Sequence, residues 1–311
     1  MVQSEHMSLR IGTRASALAR WQAEWVAAQL RQRGTQVELV PITTTGDQQQ
    51  GAIEAIGGQG VFTKEIQRAL LDGRIDLAVH SLKDLPTDVV PGLCVTAVPE
   101  RAAAGDVLVC RKWASIDELP KGATVGTSSL RRRAQLLFFR RDLQTRDIRG
   151  NIDTRLRKLD QGEYDAIVLA EAGLRRLGLA DRIAQVLPMR LVLPAVGQGA
   201  LALETRTEDE IAQRSVAPLD HPPTHAAVLA ERAMLSALQG GCLAPIAALA
   251  RVEGERLTLT GRVISREGDR MLENTQEGSA AEPAMLGEQV AGALLAKGAG
   301  ELIRASRRLD R

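Results

Sequence analysis

The chain has 311 residues, enough for two or three domains of ordinary size. Hydrophobic residues make up 44% and charged residues 25%, and no apolar run reaches the roughly 20 residues that a bilayer span requires, so no membrane partner is expected. Net charge is only +2 and aromatic content 2%, which gives neither a broad basic face nor platforms for stacking bases, so no nucleic acid is expected either.

The three cysteines, Cys94, Cys110 and Cys242, are odd in number and form no CxxC pair, which argues against a disulfide framework or a structural zinc site. His80, His221 and His225 lack a matching ligand constellation, so no metal is expected. The start "MVQSEHMSLR" lacks the basic segment and apolar stretch of a secretory signal, and a cytoplasmic protein is expected. Of the 40 basic residues only Lys64, Lys83, Lys112, Lys121, Lys158 and Lys297 are lysine. A GC-rich genome would account for an Arg- and Ala-rich composition but not for where the arginines cluster.

In chain order, "LRIGT" reads as a strand, Ser16 to Arg33 as a helix, "QVELVPIT" as a strand, Phe62 to Leu71 as a helix and "IDLAV" as a strand. This is βαβ grammar, which predicts parallel strands covered by helices. The Gly- and Gln-rich stretch "TTGDQQQGAIEAIGGQG" has little periodicity, and the segment from Gly46 to Gly60 is expected to be a mobile lid. After "PERAAAGD" the grammar restarts: "ATVGT" is a strand, Ser129 to Arg140 a helix, "TRDIRG" a strand and turn, Ile152 to Asp160 a helix, and "YDAIVLA" a strand. "LPAVGQGALALE" carries a further strand that can return the chain to the first unit. Beyond "LDHPPTH" come a helix from Thr224 to Leu238, the turn "GGC", three strands ("PIAALARV", "RLTLTGRVI", "RMLENTQ") and a helix from about Pro283 to Leu295. That pattern predicts a small α+β domain.

The basic residues recur just after predicted strands: Arg14, Lys83, Arg131 to Arg133, Arg149 and Arg155, Arg175 and Arg176. In open α/β sheets that edge is where ligands bind. Any one of these side chains alone reads as a solvated charge, but the repeated placement predicts a pocket for a polyanion. No GxxxxGK[ST] or GxGxxG loop is present, which favours carboxylates over nucleotides. Arginine suits carboxylates through its parallel donors.

If Ser128 or Ser129 caps a helix, Arg131 to Arg133 fall in its first turn. Cations are disfavoured there by about 0.3–1 kcal/mol each at an exposed end, so a ligand's anionic groups are expected to offset them. Asp84, beside Lys83 in "HSLKDLP", either stabilises positive charge in a cleft or is an ion-paired capping residue. His80 reads as a satisfied structural side chain. Cys94 and Cys110 lie in β-like apolar runs. Cys242 follows two glycines at a helix end, and its residues leave open a reactive exposed thiol or a buried one.

The stretches "LRIGTRASALARWQ", "GGQGVFTKEIQRALLDGRIDLAVHSLKDLPT", "VGTSSLRRRAQL", "RGNIDTRLRKLDQGEYDAIVLAEAGLRRLGL", "LPAVGQGALALE" and "ERAMLSALQGGCLAPI" together resemble the porphobilinogen deaminase (hydroxymethylbilane synthase) family of tetrapyrrole biosynthesis. The resemblance runs from about Leu9 to Ile246. It departs from the family pattern at "TTTGD", where a basic residue is usual before Gly46, and at Leu243–Ala244.

The resemblance implies an α/β fold with two type II periplasmic-binding-protein-like domains around a cleft, plus a small C-terminal α+β domain. It implies domain 1 over residues 1–103 and 198–220, domain 2 over 104–197 and domain 3 over 221–311. It further implies a dipyrromethane cofactor joined through a thioether to Cys242 and held by Lys83, Asp84, Ser128, Ser129, Arg131, Arg132 and Gly150. Substrate-binding roles fall to Arg14, Ser16, Arg149, Arg155 and Arg176, and the catalytic role to Asp84; Arg133 has no match and is expected at the surface. The implied substrate is porphobilinogen, four molecules of which are condensed one after another, head to tail, onto the primer with loss of ammonia before hydrolysis frees the product, and a monomer is the default. Two other readings use the same residues: a two-domain anion-binding protein, and a single-strand nucleic-acid binder, which the scarce aromatics disfavour.

Overall fold

Ser16 starts the first helix by accepting a hydrogen bond from Ala19 N at 3.3 Å, and Ala23, Val26, Ala27 and Leu30 then recur on one face and are buried. The helix ends where Gly34, at φ +86°, lets Thr35 N reach back to Leu30 O and Gly34 N to Arg31 O. The computed structural model in which these contacts are seen describes residues 8–42, 63–239 and 244–308. The predicted lid and Cys242 lie outside them. Among the described residues no helix is long and apolar enough to cross a membrane, and no group of three or more His, Cys, Asp or Glu is placed to hold a metal ion.

The chain divides into two compact units, the first of residues 1–101 with 200–225, the second of 102–199 with 226–311. In the first unit, strands β1 (Leu9–Thr13), β2 (Val37–Pro41), β3 (Leu77–Ser81), β4 (Leu93–Ala97) and β10 (Leu201–Arg206) form one sheet in the order β2-β1-β3-β10-β4. β1 runs parallel to β2 and β3, while β10 is antiparallel to β3 and β4. Helix α1 (Ala17–Gln32) and helix α6 (Glu210–Val216) bury Leu30 and Val216 with Leu77 and Leu203 on one face. Helix α2 (Lys64–Leu71) buries Ile66 and Leu70 with Ala78 and Leu93 on the other. Both faces are therefore covered, as sheets with parallel strands require.

The second unit repeats the arrangement. Strands β5 (Asp106–Cys110), β6 (Thr124–Gly126), β7 (Gln144–Arg146), β8 (Ala166–Ala170) and β9 (Gln185–Val186) lie in the order β7-β6-β8-β5-β9, with β6 parallel to β7 and β8 and β5 antiparallel to β8 and β9. Helices α3 (Leu130–Phe139), α4 (Ile152–Asp160) and α5 (Glu171–Arg176) follow β6, β7 and β8 in turn. The parallel strands that the alternating pattern predicts are present in both sheets, and the fourth strand of each sheet is antiparallel to its neighbours. The parallel sense is enforced only where a helical crossover joins neighbouring strands, and neither β10 nor β5 is joined to its sheet neighbours in that way.

The same unit carries a small C-terminal domain, as the composition shift predicts. Strands β11 (Ile246–Glu253), β12 (Arg256–Ile264) and β13 (Met271–Ser279) form an antiparallel meander packed on helices α7 (Pro222–Ala237), α8 (Pro283–Ala296) and α9 (Ala299–Arg308), with Met234, Leu259, Val290 and Leu294 in its core.

Candidate active site

The chemistry-bearing residues fall at the C-terminal ends of parallel strands in each unit. In the first, Arg14 and Ser16 follow β1, and Lys83 and Asp84 follow its parallel neighbour β3. Lys83 and Asp84 occupy a single 3-10 turn, Leu82–Asp84, and both are exposed. Leu82 anchors the turn: it is 1% exposed, its N–H donates to Ala200 O at 3.0 Å, and its carbonyl accepts from Leu85 N at 3.1 Å. An exposed carboxylate on an anchored turn can meet a cationic or N–H group without rearranging. Gln22 of α1 exchanges hydrogen bonds with Ser81, at 2.8 and 3.2 Å, which ties the capped helix to the end of β3. His80 is buried with Nε2 3.0 Å from Glu204 Oε2, a structural setting.

In the second unit Ser129 caps α3, its hydroxyl accepting from Arg132 N at 3.4 Å. Ser128 has a different task. Its hydroxyl donates to Ile148 O at 2.8 Å and accepts from Ile148 N at 3.1 Å, so its one proton joins the loop after β6 to the loop after β7.

The first-turn arginines correct the sequence-based account of their cost. Arg131 and Arg132 are not at an exposed helix end but buried, each 6% exposed, against the fully buried carboxylate of Asp106. Arg131 Nη1 donates to Asp106 Oδ2 at 2.7 Å and to Leu193 O at 2.6 Å. Arg132 Nε and Nη2 both donate to Asp106 Oδ1, at 2.9 and 2.7 Å, and its Nη1 reaches Val168 O at 3.1 Å. Gln198 Nε2 adds a further bond to Oδ1 at 3.0 Å. Burial alone would raise the Asp106 pKa, but the two guanidinium groups hold it well below the ordinary carboxylate range. Burial lowers the Arg131 pKa, with Asp106 opposing the shift.

Two buried cations share one anion, so the cluster keeps one net positive charge at the start of α3, the positive end of the helix dipole. That surplus, in a donor set of guanidinium and N–H groups, fits a bound group that presents carboxylates. Arg133, expected at the surface, is partly buried.

Gly150 has φ +110°, and a Cβ there would lie 2.7 Å from Thr154 Cγ2, so only glycine suits the turn into α4. The turn displays Arg149 at the surface, and Arg155 Nε holds it by donating to Gly150 O at 2.8 Å. At the end of α5, Arg176 Nη2 donates to Gly199 O at 2.8 Å, and burial brings its pKa down to about 10.

Asp106, Gln135, Gln198 and Arg262 build this site and were not singled out from the sequence. The only available signal was a lone charged residue opening the apolar run "DVLVC".

The chain matches the family model "Porphobilinogen deaminase, dipyromethane cofactor binding domain" over residues 9–214, and the model "Porphobilinogen deaminase, C-terminal domain" over residues 225–296. It is 47% identical over 306 residues to a porphobilinogen deaminase of Pelotomaculum thermopropionicum, covering 97% of this chain and 98% of that one. It is 49% identical to that of Geobacter metallireducens, covering 95% and 93%, and 50% identical to that of Acidithiobacillus ferrooxidans, covering 95% and 97%. Among solved structures, the methionine-binding protein MetQ aligns at TM-score 0.46 with 16% identity, over 68% of this chain and 89% of that one, a likeness too loose to build on. The full-length identity and the two consecutive model matches make this chain a member of the porphobilinogen deaminase family.

Proposed function

We propose that the chain is a transferase that condenses four porphobilinogen molecules head to tail, releasing ammonia at each addition, and frees the linear tetrapyrrole by hydrolysis. The observation that carries this reading is the buried Arg131–Asp106–Arg132 cluster with its unbalanced positive charge at the start of α3. Every porphobilinogen ring carries an acetate and a propionate, and burying such groups uncompensated would be prohibitive.

A dipyrromethane primer, joined as a thioether to Cys242, would supply the free pyrrole α-carbon onto which the product is built. Lys83, Ser129, Arg131 and Arg132 would hold its carboxylates, Ser128 and Gly150 would shape the loops around it, and Asp84 would face its pyrrole N–H groups. Arg14, Ser16, Arg149, Arg155 and Arg176 would bind the acetate and propionate of incoming substrate.

Asp84 takes the catalytic role because departure of ammonia leaves an electron-poor ring on the substrate and carbon–carbon bond formation puts positive charge on pyrrole nitrogen. A fixed carboxylate stabilises that charge and accepts and returns the N–H proton. We place the enzyme in the cytoplasm as a monomer, and sedimentation velocity showing a stable dimer would overturn the second point.

Intact mass spectrometry of the purified protein tests the reading directly. The expected result is a mass excess of two pyrrole units, absent from Cys242→Ser, with a pink to orange colour in acidic aldehyde reagent. An unmodified mass in the active wild-type protein would refute it.

A further inference from the structure

Gln135 lies one turn after Arg131 on α3 and is fully buried. Its side-chain amide pairs with both polar groups of Leu193: Oε1 accepts from Leu193 N at 2.9 Å, and Nε2 donates to Leu193 O at 3.0 Å. Nε2 also donates to Arg131 O at 3.2 Å, and Oε1 also accepts from Arg262 Nη1 at 2.6 Å. Both protons and both lone pairs of the amide are therefore used, and turning it over would set donor against donor.

Arg262, on β12 of the C-terminal sheet and 3% exposed, extends the network. Its Nη2 donates to Arg190 O at 3.1 Å, and its Nε meets Glu273 Oε2 of β13 at 2.7 Å. The segment from Arg190 to Leu193 is thus clamped between α3 and the C-terminal sheet. The carbonyl at the end of that segment, Leu193 O, is the one that receives Arg131 Nη1.

We propose that Gln135, locked by Arg262, is a positioning residue that sets the aim of the Arg131 guanidinium toward carboxylates. The proposal rests on the reading that Arg131 binds them. A fully satisfied buried network specifies one arrangement, and Arg131 Nη1 is shared between Asp106 Oδ2 and Leu193 O, so that the position of Leu193 O decides how the guanidinium turns about its contact with Asp106. The C-terminal domain thereby sets the orientation of a charge that lies outside it.

The test is a double-mutant cycle on the holoenzyme with Arg131→Gln and Gln135→Met, reading KM and kcat for porphobilinogen and, by intact mass, the fraction of purified protein carrying the primer. Because a primer held by a misaimed Arg131 presents its end ring badly to the next porphobilinogen, Gln135→Met is expected to lower primer occupancy and, per primed molecule, to raise KM about tenfold while changing kcat by no more than about twofold. In the Arg131→Gln background it is expected to add nothing to either readout. Multiplying effects in the double variant would show that Gln135 acts through general packing and overturn the proposal, as would an unaffected Gln135→Met. An Arg131→Gln variant with normal KM and occupancy would instead remove the reading beneath it. Arg262→Lys keeps the charge but loses the fork to Gln135, and it gives the same decision in the same cycle if Gln135→Met does not fold.

Discussion

Arg132 places Nε and Nη2 on a single oxygen of Asp106, Oδ1, at 2.9 and 2.7 Å, leaving Oδ2 for Arg131. One buried carboxylate thus organises two guanidinium groups that are adjacent in sequence and lie on successive positions of a helix. Removing the anion while keeping its shape leaves two buried cations facing each other. Asp106→Asn is expected to lose about 3–5 kcal/mol of stability in urea denaturation at pH 7. The sign of the pH dependence follows from the lowered folded pKa. The stabilisation is complete above the unfolded carboxylate value of about 3.9 and is lost as pH falls below it toward the folded value. Denaturation midpoints measured from pH 6 to pH 2.5 should fall below about pH 4 in the wild type and fall less steeply in Asp106→Asn.

Asp84 offers the opposite balance of stability and function. Its side chain is exposed on a turn fixed by Leu82, so truncation removes no packing. Asp84→Ala is expected to keep its unfolding free energy within about 0.5 kcal/mol of wild type while kcat falls by about 10²–10⁴. Near-normal turnover in that variant would exclude the catalytic assignment.

Arg176 is held at a cost to the fold. Burial pulls its pKa down to about 10, below the ordinary arginine value, so the folded protein disfavours the cation. That cost is present in full below about pH 10 and is relieved as pH rises from there toward the unfolded value. Arg176→Met is expected to leave the midpoint of urea denaturation at pH 7 unchanged or raised, while KM for porphobilinogen rises about tenfold. A stability loss with normal KM would assign Arg176 to structure alone.

Local chemistry explains which of these features could be read from the chain. Ile152 to Asp160 is a helix at the predicted bounds, and Ser129 caps α3, because caps, periodicity and glycine stops act within a few residues. The recurrence of basic residues after strands was visible for the same reason. Asp106 was not, since its 25-residue separation from Arg131 is spanned only by the sheet. The antiparallel sense of β10 and β5 likewise depends on partners far away in sequence. Ser128 shows a subtler limit: its residue type fits a ligand contact, but its proton goes to Ile148.

The position of β10 has a consequence for how the polypeptide acquires its structure during synthesis. β10 lies between β3 and β4, yet its residues begin at Leu201, more than a hundred positions after β4 ends. A nascent chain that has emerged only as far as Gly199 therefore has two unsatisfied strand flanks in its N-terminal sheet. By contrast, β5 to β9 form a contiguous stretch that can close as soon as Val186 is out. The N-terminal part of the molecule is made first and completed after the middle, and the interval exposes it to the slow, aggregation-prone pairing that distant strand contacts entail.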